Sequence, residues 1–213
     1  MFEISIIETR WWWVRHAPVI GDEGRIYGQT DLAADVSELP IFKRLSEILP
    51  QNPVLLTSDL QRTTLTASAI AEAGLNLPEP IKEPAFREQH FGVWQGLKRD
   101  KFRKEKGAMM HQFWIAPAFE RAPEGESFAD LVARVVPAIT RLTAEHAGSD
   151  ILCVAHGGTI RAALAFALGL APDKALALRT ANCGLTRLDH ILDENGDNAG
   201  VWRIVTVNHD PAT

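Results

Sequence analysis

Cysteine is nearly absent: Cys153 and Cys183 are the only two in 213 residues. That is too few for a disulfide framework, and the pair lacks zinc-type spacing. Cys153 sits in the apolar run ILCVA and reads as a small core residue. An excess of positive charge is missing too, since Lys+Arg 22 against Asp+Glu 27 leaves a net charge of −5. Such a chain has no global electrostatic reason to bind nucleic acid or an anionic membrane, so any anionic ligand must be drawn by a local cationic cluster. No apolar run approaches membrane-spanning length, and no basic segment leads into an apolar stretch at the N-terminus. The expectation is a reduced, soluble, cytoplasmic protein. Repeats, low-complexity tracts and long charge blocks are lacking as well. With 46% hydrophobic residues, residues 1–213 suit one domain that buries a substantial core.

What is present is an alternation of strands and helices. Thr9–Val14 (TRWWWV) is β-rich and bulky, and the chain turns after it at RHAPV. Leu39, Phe42, Leu45 and Leu49 recur at helical spacing, which predicts a helix over 37–49 ending before Pro50. Val54–Thr57 reads as a buried strand, followed by a helix capped by Ser58 or Asp59 and stopped near Gly74. Residues 81–87 look extended. The mixed stretch 97–119 reads as an inserted helical segment over one end of the sheet. A helix from Ser127 to about His146 should break or kink near Pro137. Ile151–Ala155 is another buried strand, followed by His156-Gly157-Gly158 and a helix over 159–168. Segments 183–191 and 201–207 flank Glu194-Asn195-Gly196-Asp197, a hairpin signal. The order implies an α/β sandwich with a mostly parallel sheet and an antiparallel edge strand.

Three polar clusters share one placement, just past the C-terminal end of a predicted strand. Arg15-His16 follows TRWWWV, Ser58–Arg62 follows VLLT, and His156 follows ILCVA. In open parallel sheets these ends face the binding crevice, where helix N-termini add positive dipole. Two arginines and two histidines converging there form an anion site. Phosphoryl transfer suits such a set because it needs positioning and stabilisation of charge spread over three oxygens. Arginine's planar fork matches phosphate oxygens and stays charged, while a neutral imidazole can attack phosphorus and hold it covalently. A carboxylic acid must then protonate the leaving oxygen and later deprotonate water. Glu88, ahead of Phe91-Gly92-Val93-Trp94, is the best-placed acid; Glu3, Glu83, Glu124 and Glu126 remain open on sequence grounds.

These motifs resemble the histidine phosphatase (phosphoglycerate-mutase-like) superfamily. Val14–Pro18 (VRHAP) is similar to its nucleophile signature, and Ser58–Thr63 to its second arginine motif. Glu88–Gly92, continuing to Trp94 and Gly96, resembles the acid-bearing segment, and Val154–Arg161 the second histidine motif. The resemblance, spread over residues 10 to 165, implies a three-layer α/β/α sandwich and a phosphoenzyme on His16. It implies Arg15, Arg62 and His156 as phosphate ligands, Glu88 as proton donor, and neither metal nor other cofactor. Gly24–Asp31 and Pro123–Ser127 resemble the small bacterial branch that includes α-ribazole-5′-phosphate phosphatases.

The chain departs from the pattern in places. Ala17 replaces a glycine, which is tolerable unless the position needs φ > 0. Trp11–Trp13 replaces an aliphatic strand; its side chains must alternate faces, so at least one packs under a helix or at a subunit contact. Gly158 stands where the mutase branch has Asn, and Arg99, Arg103 and Lys104 read as a solvated helix face, which together favour hydrolysis over a mutase. The expected activity is therefore a phosphomonoesterase acting on a small phosphorylated metabolite. A mutase and a non-catalytic phospho-ligand binding module are the alternatives. Tyr27, Gln29, Thr30 and Asn182 are candidates for the mouth of the site, with ordinary turn hydrogen bonding as the other reading. The partner expectation is a homodimer through the Trp11–Trp13 strand or the edge near Val201–Val207.

Overall fold

A computed structural model describes residues 6–107, 111, 113–193 and 200–212. Among these residues the chain runs β1 (Ile6–Arg15), α1 (Leu39–Ile48), β2 (Val54–Thr57), α2 (Gln61–Glu72), β3 (Ile81–Lys82), α3 (Arg99–Lys106), α4 (Phe128–Glu145), β4 (Asp150–Ala155), α5 (Gly157–Leu168), α6 (Pro172–Ala175), β5 (Leu185–Asp193) and β6 (Val201–His209). The strands form one sheet in the order β3-β2-β4-β1-β5-β6. The β3-β2, β2-β4 and β4-β1 pairs are parallel, and the β1-β5 and β5-β6 pairs are antiparallel. The sheet is thus mostly parallel, and its antiparallel edge is two strands wide.

Strand alternation sorts the core into two layers. Trp11, Trp13, Leu56, Ile151, Cys153 and Ala155 face α4 and α5, packing on Phe128, Leu131, Val135 and Ile160. Val14, Leu55, Leu152 and Val154 face α1 and α2, packing on Phe42, Leu45, Ala67 and Ile70. The result is an α/β/α sandwich. Trp11 and Trp13 stack with centroids 4.9 Å apart, and Trp11 Nε1 donates to Thr143 Oγ1 on α4. Both are fully buried, which removes them from any contact with a second copy. Trp12, on the opposite face, donates to Asp150 Oδ1 and carries the Arg187 guanidinium 4.4 Å above its ring.

Several expectations need correction. Residues 81–87 are not one extended run: β3 has two residues and a 3₁₀ turn follows over Pro84–Phe86. Of the break or kink expected near Pro137, the break does not occur in α4; Ala133, whose carbonyl loses its partner, and Pro137 itself both face solvent, so water can satisfy the freed group. Its start is as read, with Ser127 and Asp130 forming a reciprocal capping box. Neither Ser58 nor Asp59 caps α2. Asp31, from the β1–α1 connection, accepts from Gln61 N at 2.7 Å instead. Helix α5 begins at Gly157, two residues earlier than read. The Glu194–Asp197 turn lies outside the described residues. No described helix is long and apolar enough to cross a membrane.

The inserted segment contributes α3 and a small cluster of its own, in which Ile26, Phe91, Trp94, Phe102 and Ala116 pack together. The cluster is tied to the β1–α1 connection, because Arg25 bridges Lys98 and Ile26 N donates to Leu97 O.

Candidate active site

Register brings the three clusters together. Strand β4 lies between β1 and β2, with Arg15 opposite Ala155 and Thr57 opposite Val154. Arg15, His16, Ser58 and His156 therefore leave the sheet side by side at the carboxyl ends of its central strands. His16 N donates to Ala155 O at 2.9 Å, which pins the loop after β1 to β4. The His16 and His156 rings lie 5.2 Å apart, centroid to centroid.

Hydrogen bonding assigns the tautomer of each ring. His16 Nδ1 lies 2.6 Å from Ala17 O; a carbonyl only accepts, so Nδ1 carries the proton and the Nε2 lone pair is left for chemistry. Arg62 Nε donates to His156 Nδ1 at 3.2 Å, which puts the His156 proton on Nε2, directed to Ser58 Oγ at 2.7 Å. Both nitrogens of His156 are thus engaged by the protein, and in this arrangement it supports Arg62. Burial, with Arg15 and Arg62 adding to it, holds His16 well below the ordinary imidazole pKa; burial together with Arg62, His16 and Arg15 does the same to His156.

The arginines here differ from those on the surface. Arg62 is fully buried and its Nη1 and Nη2 donate to the carbonyls of Thr30 and Gly28 at 2.8 and 2.7 Å. Arg15 Nη1 donates to Thr180 O at 2.6 Å, while its buried Nε meets no partner. Arg161, one turn into α5 and 7% exposed, donates through Nε to Leu178 O and lies 4.5 Å from the Trp114 ring. Among the described residues none of these three pairs with a carboxylate, whereas Arg87, Arg99, Arg134, Arg141 and Arg203 all do. Glu88 acts on Arg62 and Arg161 only from beyond ion-pair range, and buried cations without a directly paired carboxylate are costly, so the set points to an anion supplied from outside.

Glu88 is 7% exposed, and both its carboxylate oxygens lie 3.2 Å from Gly158 N at the start of α5; Oε1 also accepts from Gln89 N at 2.8 Å. It shares with Arg15 a cavity of about 200 Å³. The other acids fall elsewhere: Glu83 caps the 3₁₀ turn and pairs with Arg141, Glu126 pairs with Arg134, and Glu124 sits in a turn at φ 59°. Glu3 lies outside the described residues.

Tyr27 lines the same cavity, its ring between the guanidinium groups of Arg62 at 5.3 Å and Arg99 at 5.4 Å. Gln29 and Thr30 work as braces, Gln29 Nε2 donating to Glu88 O and Thr30 O accepting from Arg62. Asn182 Nδ2 donates to His16 O at 2.8 Å and faces a separate cavity beside Ala17 and Pro18. Ala17 is buried outside the positive-φ region, so its methyl costs no strain. The solvated reading of the inserted segment holds for Arg103 and Lys104, both exposed, whereas Arg99 is half-buried and paired with Asp22; Arg99 and Arg103 also line the cavity with Glu88. Sequence reading also passed over Ser58 as the orienter of His156, and over Arg161. A side chain four residues after Gly157 leans back over it, a signal that spacing alone contained.

The sequence model of the histidine phosphatase superfamily (branch 1) matches residues 11–206. The chain belongs to the histidine phosphatase superfamily. A Yersinia enterocolitica protein named "Probable phosphoglycerate mutase GpmB" is 34% identical over 182 residues, covering 83% of each chain. The solved structure of a mycobacterial glucosyl-3-phosphoglycerate phosphatase superposes with TM-score 0.78 at 26% identity, covering 95% of this chain and 99% of that one. An Escherichia coli structure named as a candidate α-ribazole-5′-P phosphatase shares the fold, with TM-score 0.76 at 20% identity over 95% of this chain and 97% of that one.

In this member of the superfamily Gly158 is a fitted position. A Cβ there would stand 2.2 Å from Glu88 Oε1 and 3.0 Å from Leu131 Cδ1. Gly158→Asn must therefore push Glu88 off the α5 N-terminus. A displacement of about 1 Å at a reacting group costs up to about 100-fold, so, were Glu88 a proton donor to an alkyl phosphate, kcat should fall about 10–100-fold, measured against an unchanged melting temperature.

The two depressed histidines also predict how stability depends on pH. Their folded pKa lies below the unfolded value of about 6.5. As pH falls below about 6.5 the unfolded chain gains protons that the folded chain refuses, so stability declines toward acid and is recovered above that pH. Each ring contributes up to about 1.4 kcal/mol per pH unit in that window. Melting temperature should fall between pH 7.5 and 5, with a shallower slope in His16→Asn; an equal slope in that variant would assign the effect to other groups.

Proposed function

We propose that the protein is a phosphomonoesterase that releases phosphate from a small phosphorylated metabolite through a phosphohistidine on His16. The observation that carries this reading is the His16 ring: its Nδ1–H is held by Ala17 O, its Nε2 lone pair is free, and it lies among arginines that lack carboxylate partners. Nε2 attacks phosphorus, the P–O bond to the alcohol breaks, and the leaving oxygen takes a proton from the Glu88 carboxyl. The N-phosphorylated ring keeps Nδ1–H, so Ala17 O offsets its new positive charge. Water then attacks phosphorus, Glu88 takes its proton, the P–N bond breaks and neutral His16 is restored. Arg15 and Arg62 hold the equatorial oxygens throughout. As the dianion enters, His156 takes a proton from solvent on Nδ1 and directs it to a phosphoryl oxygen in place of its contact with Arg62, while Nε2–H stays on Ser58.

Arg99 and Arg103 at the mouth support a substrate with a second anionic group, in keeping with the phosphoglycerate in the names of two relatives. The same observation favours a second reading, a mutase, which must grip such a group. Gly158, without the side chain carried there in the mutase branch, supports hydrolysis. The test is a screen of phosphorylated metabolites in the presence of chelator, with and without a bisphosphate primer. Phosphate release independent of the primer is the expected result; isomerisation that requires the primer would replace the phosphatase reading by the mutase.

A further inference from the structure

Helix α5 starts with two glycines, and side chains on a helix lean toward its N-terminus. Arg161, four residues after Gly157, leans back over the bare first turn in this way. A Cβ built on Gly157 would stand 3.1 Å from Thr180 Oγ1, 3.2 Å from Arg161 Nη1 and 3.5 Å from Arg15 Nε. Three polar groups from β1, α5 and the α6–β5 connection therefore crowd over one glycine, with two guanidinium groups side by side. Thr180 is 6% exposed, and neither its Oγ1 nor the Arg15 Nε has a hydrogen-bond partner. No described carboxylate lies within ion-pair range of Arg15 or Arg161, and the Arg161 bond to Leu178 O uses only Nε. Glu88, seated on Gly158 N, offsets part of this charge from beyond ion-pair range, but the two adjacent guanidinium groups and the two orphaned polar atoms over Gly157 fit a bound oxyanion.

We infer that Arg161 is a substrate-binding residue that, with Arg15 Nε and Thr180 Oγ1, cradles an oxyanion of the substrate over Gly157. The inference deepens the phosphatase reading and rests on it for the identity of the ligand as substrate. The oxyanion belongs either to the transferred phosphoryl group or to a second anionic group beside it, and both present the same chemistry to the cradle. Arg161 stays charged in this role: burial lowers its pKa to about 10, still above neutrality. Trp114 of the inserted segment closes the outer side, its Nε1 held by Gln89 Oε1 at 2.8 Å and its ring under the Arg161 guanidinium. Gln89 also donates its backbone N–H to Glu88, so the wall of the cradle and the acid share one support.

The test compares wild type with Arg161→Met, Arg161→Lys and Thr180→Val. Inorganic phosphate binding is read by calorimetry. Steady-state kinetics use a phosphorylated hydroxy acid and a phosphorylated polyol of equal size, which differ in the carboxylate. Loss of one charged hydrogen bond corresponds to about tenfold or more in affinity. If the cradle holds the phosphoryl group, Arg161→Met weakens phosphate binding by about tenfold and raises KM for both substrates. If it holds the second group, phosphate binding is unchanged and the preference for the hydroxy acid disappears. In either case Arg161→Lys recovers most of the loss, and Thr180→Val, which keeps the shape and removes the hydroxyl, shows a smaller effect in the same arm. Phosphate affinity and substrate preference within twofold of wild type in both Arg161→Met and Thr180→Val would overturn the inference. Equal impairment in Arg161→Lys and Arg161→Met with a lowered melting temperature would also overturn it, by assigning Arg161 to the support of Trp114. If no compound is turned over by wild type, the phosphatase reading fails while calorimetry still reports on the cradle.

Discussion

Replacing His16 by alanine is expected to abolish phosphate release, a loss of about 10⁴-fold or more, as for other deleted covalent nucleophiles. The size follows from the site's economy: there is a single imidazole with a free lone pair, since both nitrogens of His156 are engaged by Arg62 and Ser58. His156 cannot take over the attack, because its Nδ1 lone pair is occupied either by Arg62 or, once protonated, by the proton it directs to a phosphoryl oxygen. The same variant should still bind inorganic phosphate, because Arg15 and Arg62 are held by backbone carbonyls that the substitution leaves in place. Rapid-quench labelling should find an acid-labile phosphoenzyme in wild type and none in His16→Ala. Turnover undiminished in the variant would refute the covalent route.

Glu88→Gln is expected to lower kcat on alkyl phosphates by about 10²–10⁴-fold, the usual contribution of a positioned acid. Glutamine keeps the shape and the contact with Gly158 N but has no proton to give. An alkoxide is a poor leaving group and needs that proton; an aryl oxide is not, so on aryl phosphates the first step should be much less affected. The second step still needs a base, and phosphoenzyme should accumulate in the variant with aryl substrates, visible as a burst of phenol that exceeds phosphate. Equal losses on alkyl and aryl esters, with no burst, would move the acid role to another group.

The legible part of the fold was the part in which each residue's environment is set by its neighbours in the chain. The spacing of Leu39, Phe42 and Leu45 locates α1, and the apolar runs VLLT and ILCVA locate β2 and β4 almost to the residue. The capping of α2 was misread because the partner of its first N–H, Asp31, is 30 residues away, while Ser58 is recruited by His156. The placement of Arg99 differs from the solvated expectation for a related reason. Charged residues along a short helix look solvated until the rest of the fold supplies a wall for them to face, here Tyr27, Phe91 and Trp114.

By itself the sequence determined the chemistry available: an imidazole after one strand, a second after another, and guanidinium groups beside each. The type of a residue and its place at a strand end are local properties, and parallel strands carry such ends to one edge whatever their order. Tertiary structure alone decided which groups touch. The insertion of β4 between β1 and β2 set His16 beside His156, the absence of a side chain at Gly158 admitted Glu88, and the lean of Arg161 over Gly157 put it next to Arg15. Contacts between residues about 70 or more positions apart depend on register, packing and the room left by missing atoms, and these exist only once the chain has closed on itself.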